Sequence, residues 1–228
     1  MKKRVIIAGA SGMMGQLLFQ LCLQSPEIET LTSIVRKEGS IKHPKLIEII
    51  HSDFLDFTSI QSAFEDQDVC FFCLGVYTGQ VSPAEFHTIT VDYTRAFAEM
   101  LRRKSKKTSF VFLSGQGADS SEKSPVMFAK EKGIAENILI GLSFDKLCIV
   151  RPGYIYPSSP RKEPNLSYVI FKFLYKYLAR FVYSNIGLTS ENLASAMFFA
   201  GLKGAHKLIL ENKDLRSFDE KSGGFLNQ

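Results

Sequence analysis

Tryptophan is absent from this 228-residue sequence, and cysteine and histidine are scarce, at four residues each. So few cysteines in so long a chain exclude a disulfide framework. His43, His51, His87 and His206 fall in separate segments without ligand spacing, and no metal is assigned. Long apolar runs are missing as well. Nothing reaches the ~18 uncharged residues a spanning helix requires, which excludes a transmembrane segment. Charge of one sign is not in excess either: 28 basic against 23 acidic side chains leaves +5, too mild for nucleic acid without a concentrated patch. Small anions remain open as ligands. Repeats, low-complexity tracts and flexible linkers are also missing, so residues 1–228 read as one domain, with 156–228 as a C-terminal extension on the substrate side.

Two local patterns imitate other classes. Lys2-Lys3-Arg4 followed by Val5-Ile6-Ile7-Ala8 looks like the start of a secretory signal, but Gly9, Gly12 and Gly15 interrupt the apolar region. A buried first strand fits better, and a cytoplasmic protein is expected. Cys70-Phe71-Phe72-Cys73 has redox-motif spacing, yet it sits in an apolar strand where residues three apart face opposite sides. Those cysteines read as core.

What is present is a composition of 45% apolar and 22% charged residues, ample for a buried core. Strand-like runs recur at Arg4–Ala8, Leu31–Val35, Ile47–His51, Val69–Leu74, Ser109–Ser114 and Lys146–Arg151. Segments of helical spacing lie between them, at Met14–Gln24, Ser59–Glu65, Pro83–Arg103 and Val126–Leu142. That alternation predicts an α/β doubly wound, mostly parallel sheet with helices on both faces. After Pro157-Ser158-Ser159-Pro160 an aromatic helix is expected over 166–182, then a helix at Ser190–Lys203 and a short strand at Lys207–Leu210. The aromatic helix carries an apolar stripe opposite Lys172, Lys176 and Arg180. A lid over the cleft, plain packing, a membrane surface and a homodimer or protein partner all stay open as its use.

Gly9-Ala10-Ser11-Gly12-Met13-Met14-Gly15 follows the first strand and opens the first helix. A tight turn, backbone approach to a pyrophosphate and close helix-to-strand contact are each best met without a Cβ. The helix N-terminus supplies N–H groups and a partial positive charge, so the turn is a candidate dinucleotide cradle. No Gly-Lys-Ser/Thr follows, which excludes the Walker pattern. The second strand ends in Val35-Arg36-Lys37, where an NAD site would usually place an acid. Arg36, helped by Ser11 and Lys37, suits a 2′-phosphate, so NADP(H) is expected in preference to NAD(H).

Together with His51-Ser52-Asp53-Phe54, Cys73-Leu74-Gly75, Leu113-Ser114, Lys132-Gly133-Ile134-Ala135-Glu136 and Arg151-Pro152-Gly153, the glycine turn resembles the atypical short-chain dehydrogenase/reductase family. The likeness is to its small NAD(P)H-binding branch, which includes the Tat-interacting tumour-suppressor-like proteins, and spans essentially the whole chain. It implies that Asp53 and Phe54 line the adenine, Leu74 and Gly75 the adjoining ribose, and Pro152 and Gly153 the nicotinamide end. Ser114 would orient the substrate and Lys132 would hold the nicotinamide ribose. The family's tyrosine, four residues before that lysine, is replaced by Phe128, and counting from Lys130 finds only Val126. Phenylalanine has no exchangeable proton. Tyr77, Tyr154 and Tyr156, on loops at the carboxyl edge, are candidate substitutes.

The leading expectation is an NADP(H)-dependent oxidoreductase acting on a small, fairly apolar carbonyl or alcohol. A non-catalytic NADPH-responsive regulatory or assembly protein competes with it. An isomerase or dehydratase using the cofactor transiently ranks third.

Overall fold

A computed structural model describes residues 1–157, 187–219 and 224–225. The aromatic helix expected over 166–182 lies outside the described residues. Seven strands form one parallel sheet: β1 (Lys3–Ala8), β2 (Ile28–Val35), β3 (Leu46–Ile50), β4 (Val69–Phe72), β5 (Ser109–Leu113), β6 (Lys146–Arg151) and β9 (Ile209–Glu211). Their order is β3-β2-β1-β4-β5-β6-β9, which reverses direction between β1 and β4. A crevice at the carboxyl ends of those two strands is where such sheets bind ligands. The doubly wound α/β fold read from the sequence is the observed one.

Strand pleating sorts β1 onto two cores. Val5 and Ile7 face one side, against Leu18, Phe19 and Cys22 of α1 (Met13–Gln24) and Met197 and Ala200 of α5 (Ser190–Lys203). Ile6 and Ala8 face the other, among Phe57, Phe64, Phe72, Phe97, Phe110 and Phe112. All six rings are fully buried. Each contributes about 1.5–3 kcal/mol by leaving water, with edge-to-face pairs such as Phe64–Phe97 at 4.9 Å fixing orientation.

The stretch expected as one helix over Pro83–Arg103 is continuous but changes pitch. Ser82 accepts from the Glu85 N–H at 3.2 Å and Pro83 opens α2 (Pro83–His87), a wider π turn runs through Thr88–Asp92, and α3 follows (Tyr93–Lys104). The π turn adds a residue per turn and so rotates α3 relative to α2. It leaves His87 Nδ1 2.6 Å from Glu131 of α4 (Met127–Gly141). The segment expected as a helix at Ser59–Glu65 is a 3₁₀ stretch, Thr58–Phe64, with Ile60 off helical geometry. A small parallel pair unread in the sequence, β7 (Tyr154–Tyr156) with β8 (Gly187–Thr189), flanks the carboxyl edge. None of the described helices is long and apolar enough to cross a membrane.

Candidate functional site

The glycine turn leaves β1 between the carboxyl ends of β2 and β4. Gly9 has a left-handed φ of +84°, and a Cβ there would lie 2.7 Å from the Cys73 carbonyl carbon. A Cβ on Gly15 would collide with the Gly9 carbonyl, so helix α1 starts hard against the strand it leaves. Gly12, the N-cap, gives α1 no side-chain cap, and its first turn holds no acid. Among the described residues the N–H groups of Met13, Met14 and Gly15 have no backbone acceptor, since Gln16 is the first to bond back, to Gly12. Bare amides, absent carboxylates and exposed Ser11 and Gly12 fit a dinucleotide diphosphate.

The other predicted cofactor residues follow the carboxyl ends of other strands of the sheet. Arg36 and Lys37 are exposed beyond β2, in no ion pair among the described residues. Asp53 is exposed, its carboxylate accepting from the Leu55 N–H at 2.9 Å. Phe54 is buried, stacked edge-on against Phe57 and 5.6 Å from Tyr93, so its ring is part of the core wall. Leu74 and Gly75 follow β4 after Cys73, and the Leu74 nitrogen would lie 2.7 Å from a Cβ on Gly9. Gly153 donates its N–H to Asn212 Oδ1 at 3.0 Å, which fixes the Pro152-Gly153 turn after β6.

A different construction stands at the ends of β5 and β6. The Ser114 hydroxyl donates to Glu136, a fully buried carboxylate one turn beyond Lys132 on α4. Arg151 Nε and Nη2 donate to the same carboxylate at 3.0 and 2.5 Å, and Nη1 reaches Glu211 at 3.1 Å. Breaking such a buried pair by removing one partner costs about 3–5 kcal/mol. This network ties α4 to β5, β6 and β9, and sequence reading missed Glu136 as its hub. A carboxylate in helical register with Lys132, opposite the conspicuous Arg151, was the available signal.

Lys132 itself is buried, 8% exposed, with Nζ donating to the Leu113 carbonyl at 3.1 Å and lying 5.0 Å above the Phe112 ring. Burial pushes its ammonium down to about 8, against the opposing pull of the Glu136 carboxylate. Burial also pushes the Cys73 thiol up to about 12, so it stays protonated. Phe128, one turn before Lys132, aims its ring tip at Gly115: a Cβ there would sit 2.5 Å from Phe128 Cζ. The position that would offer a phenol is an apolar plug over a bare backbone.

A family described as NAD(P)H-binding matches residues 9–167, from the glycine turn past the Pro152-Gly153 turn. The chain belongs to this NAD(P)H-binding family. Protein HTATIP2 of Rattus norvegicus is 29% identical over 165 residues, 71% of this chain and 66% of that protein. The mitochondrial protein FMP52 of Candida albicans is 29% identical over 161 residues, 69% of this chain and 68% of its own length. The match to the rat relative thus spans just under two thirds of its length. Among solved structures, a short chain dehydrogenase family protein from Francisella tularensis superposes with a TM-score of 0.66 at 15% identity, covering 90% of this chain and 93% of that one. At that identity the likeness shows the fold alone.

Proposed function

We propose that the protein is an NADP(H)-dependent oxidoreductase of the short-chain type, acting on a small, fairly apolar carbonyl or alcohol without the usual tyrosine. The observation that carries this reading is the uncapped, acid-free turn Gly9–Gly15 at the sheet's switch point, with Arg36 and Lys37 at the end of the neighbouring strand. Amides of Met13, Met14 and Gly15 hold the diphosphate, Asp53 stands toward the adenine, and Leu74 and Gly75 line the adjoining ribose. Pro152, Gly153 and Lys132 serve the nicotinamide end, and Ser114 shapes the substrate side through its bond to Glu136. A bound nicotinamide would supply hydride exchange, and these side chains supply orientation and protons. The chain is read as a single domain with 156–228 assigned to its substrate side, and a homodimer or protein partner stays part of the proposal. The cytoplasmic placement is part of the same proposal, and the mitochondrial name of the yeast relatives supplies the compartment to test against.

Calorimetric titration with NADPH and NADH tests the cofactor half. A charge-assisted phosphate contact is worth about 1.5–3 kcal/mol, so NADPH should bind roughly ten- to a hundredfold more tightly, and Arg36→Ala should erase the difference. Equal affinities in the unaltered protein would remove Arg36 from the 2′-phosphate. The NADPH-responsive regulator stands as a second reading because Phe128 closes the proton-donor position.

A further inference from the structure

The end of the crevice next to Phe128 holds hydroxyl, carboxylate, guanidinium and ammonium groups, and their hydrogen bonds show which can still exchange a proton. Ser114 spends its hydrogen on Glu136, and both oxygens of Glu136 are taken by Arg151 and Ser114. Arg151 stays charged at any working pH. Lys132 differs. Of three ammonium donors, one meets the Leu113 carbonyl, and among the described residues Lys132 is in no ion pair. Cys73 faces it from the end of β4, Phe112 and Leu113 from β5, and Glu136 from its own helix, with Arg151 behind Glu136. Glu131, the preceding residue, turns away to His87, which also faces Asp92 at 3.7 Å.

We propose that Lys132 is the proton-transfer group of this site, taking the part Phe128 cannot play. The inference rests on the dinucleotide reading above. In the reductive direction the substrate's carbonyl carbon gains a hydride from the reduced dinucleotide, which is oxidised. The π pair moves onto oxygen, the oxygen takes a proton from the Lys132 ammonium, and water reprotonates the resulting amine. Oxidation of an alcohol runs the same steps backwards, with the amine accepting the proton. A lysine held near pH 8 by burial keeps both forms available in the physiological range, the condition an acid–base group must meet.

Two readouts test this on the full chain. With lysines isotope-labelled at the ε-carbon, nuclear magnetic resonance should show a signal titrating near pH 8 that is missing in Lys132→Met. In the second, NADPH carrying deuterium on the transferring carbon is offered benzaldehyde. Label transfer should fall about tenfold per pH unit above the same midpoint, as loss of the acid form requires. Lys132→Met should lower it by about a hundredfold or more, with NADPH affinity changed less than about tenfold. Lys132→Arg should erase the inflection, because guanidinium keeps its proton. A Lys132 signal with no inflection near pH 8 overturns the proposal, as does transfer that persists in Lys132→Met or an NADPH-bound protein that labels no benzaldehyde. Failure of the dinucleotide reading is seen separately, as no heat on NADPH addition.

Discussion

The two ends of the crevice are built from different materials. At the β1 end, Gly9–Gly15, the proposed cofactor-holding groups are backbone amides with no side-chain cap and no acid in the first helical turn. At the β5–β6 end they are side chains from three elements: Ser114, Glu136 and Arg151 bonded to one another, and Lys132 buried beside them on the Leu113 carbonyl. The first end asks little of the fold beyond a turn. The second stores an ammonium in no ion pair among the described residues and a fully buried carboxylate, so it should be both the more fragile end and the one most sensitive to pH.

Removing the hub is the harshest way to break that contrast. Glu136→Ala removes the buried carboxylate that Ser114 and Arg151 share, leaving Arg151 only Glu211 and Ser120, and should cost about 3–5 kcal/mol in urea unfolding. A loss under about 1 kcal/mol would mean the network is relaxed by water and the two ends are alike.

Lys132→Met should act in the opposite direction. The folded pKa of about 8 lies below the unfolded value, so between pH 8 and about 10.4 the unfolded chain binds more protons and stability rises with pH. The lysine's cost is therefore fully present below pH 8 and fades above it. The variant should be more stable at pH 7 by on the order of 2–3 kcal/mol, with the gain shrinking toward pH 10. A pH-independent difference between the two proteins would show that Lys132 is not a displaced titrating group.

Gly115→Ala sharpens the same end. Its methyl meets the Phe128 ring tip, so the variant should lose about 1–3 kcal/mol, and Phe128→Leu in the same chain should recover most of that loss. Additive effects in that double-mutant cycle would separate the two positions.

The smallest change in stability belongs to the backbone end. A Cβ on Gly12 lies 3.3 Å from the Gly9 carbonyl oxygen, tight but tolerable, so Gly12→Ala should unfold within about 1 kcal/mol of the unaltered protein. NADPH affinity should nonetheless drop by about tenfold or more, since the methyl stands where the diphosphate approaches.

The same division explains what could be read in advance. Strands such as Lys146–Arg151 and the helix Ser190–Lys203 fall where apolar periodicity puts them, because burial on both faces leaves a strong pattern. Pro83–Arg103 shows one periodic face in sequence, and the π turn at Thr88–Asp92 escapes because a single extra residue barely disturbs that pattern. The pair Tyr154–Tyr156 and Gly187–Thr189 is too short to announce itself. In the site, the Gly9–Gly15 turn was legible because local backbone needs dictate its residues. Ser114 was legible as a residue at a strand end, but the fate of its hydroxyl depends on Glu136, 22 residues away on another element. Such partnerships are set by packing, which a linear pattern does not encode.

Backbone amide shifts during NADPH titration probe the cradle itself. The account predicts saturable shifts largest at Gly12, Met13, Met14 and Gly15, with a second group at Arg36 and Lys37 that NADH does not produce. Unmoved amides in that turn at millimolar NADPH would contradict it, whatever moved elsewhere.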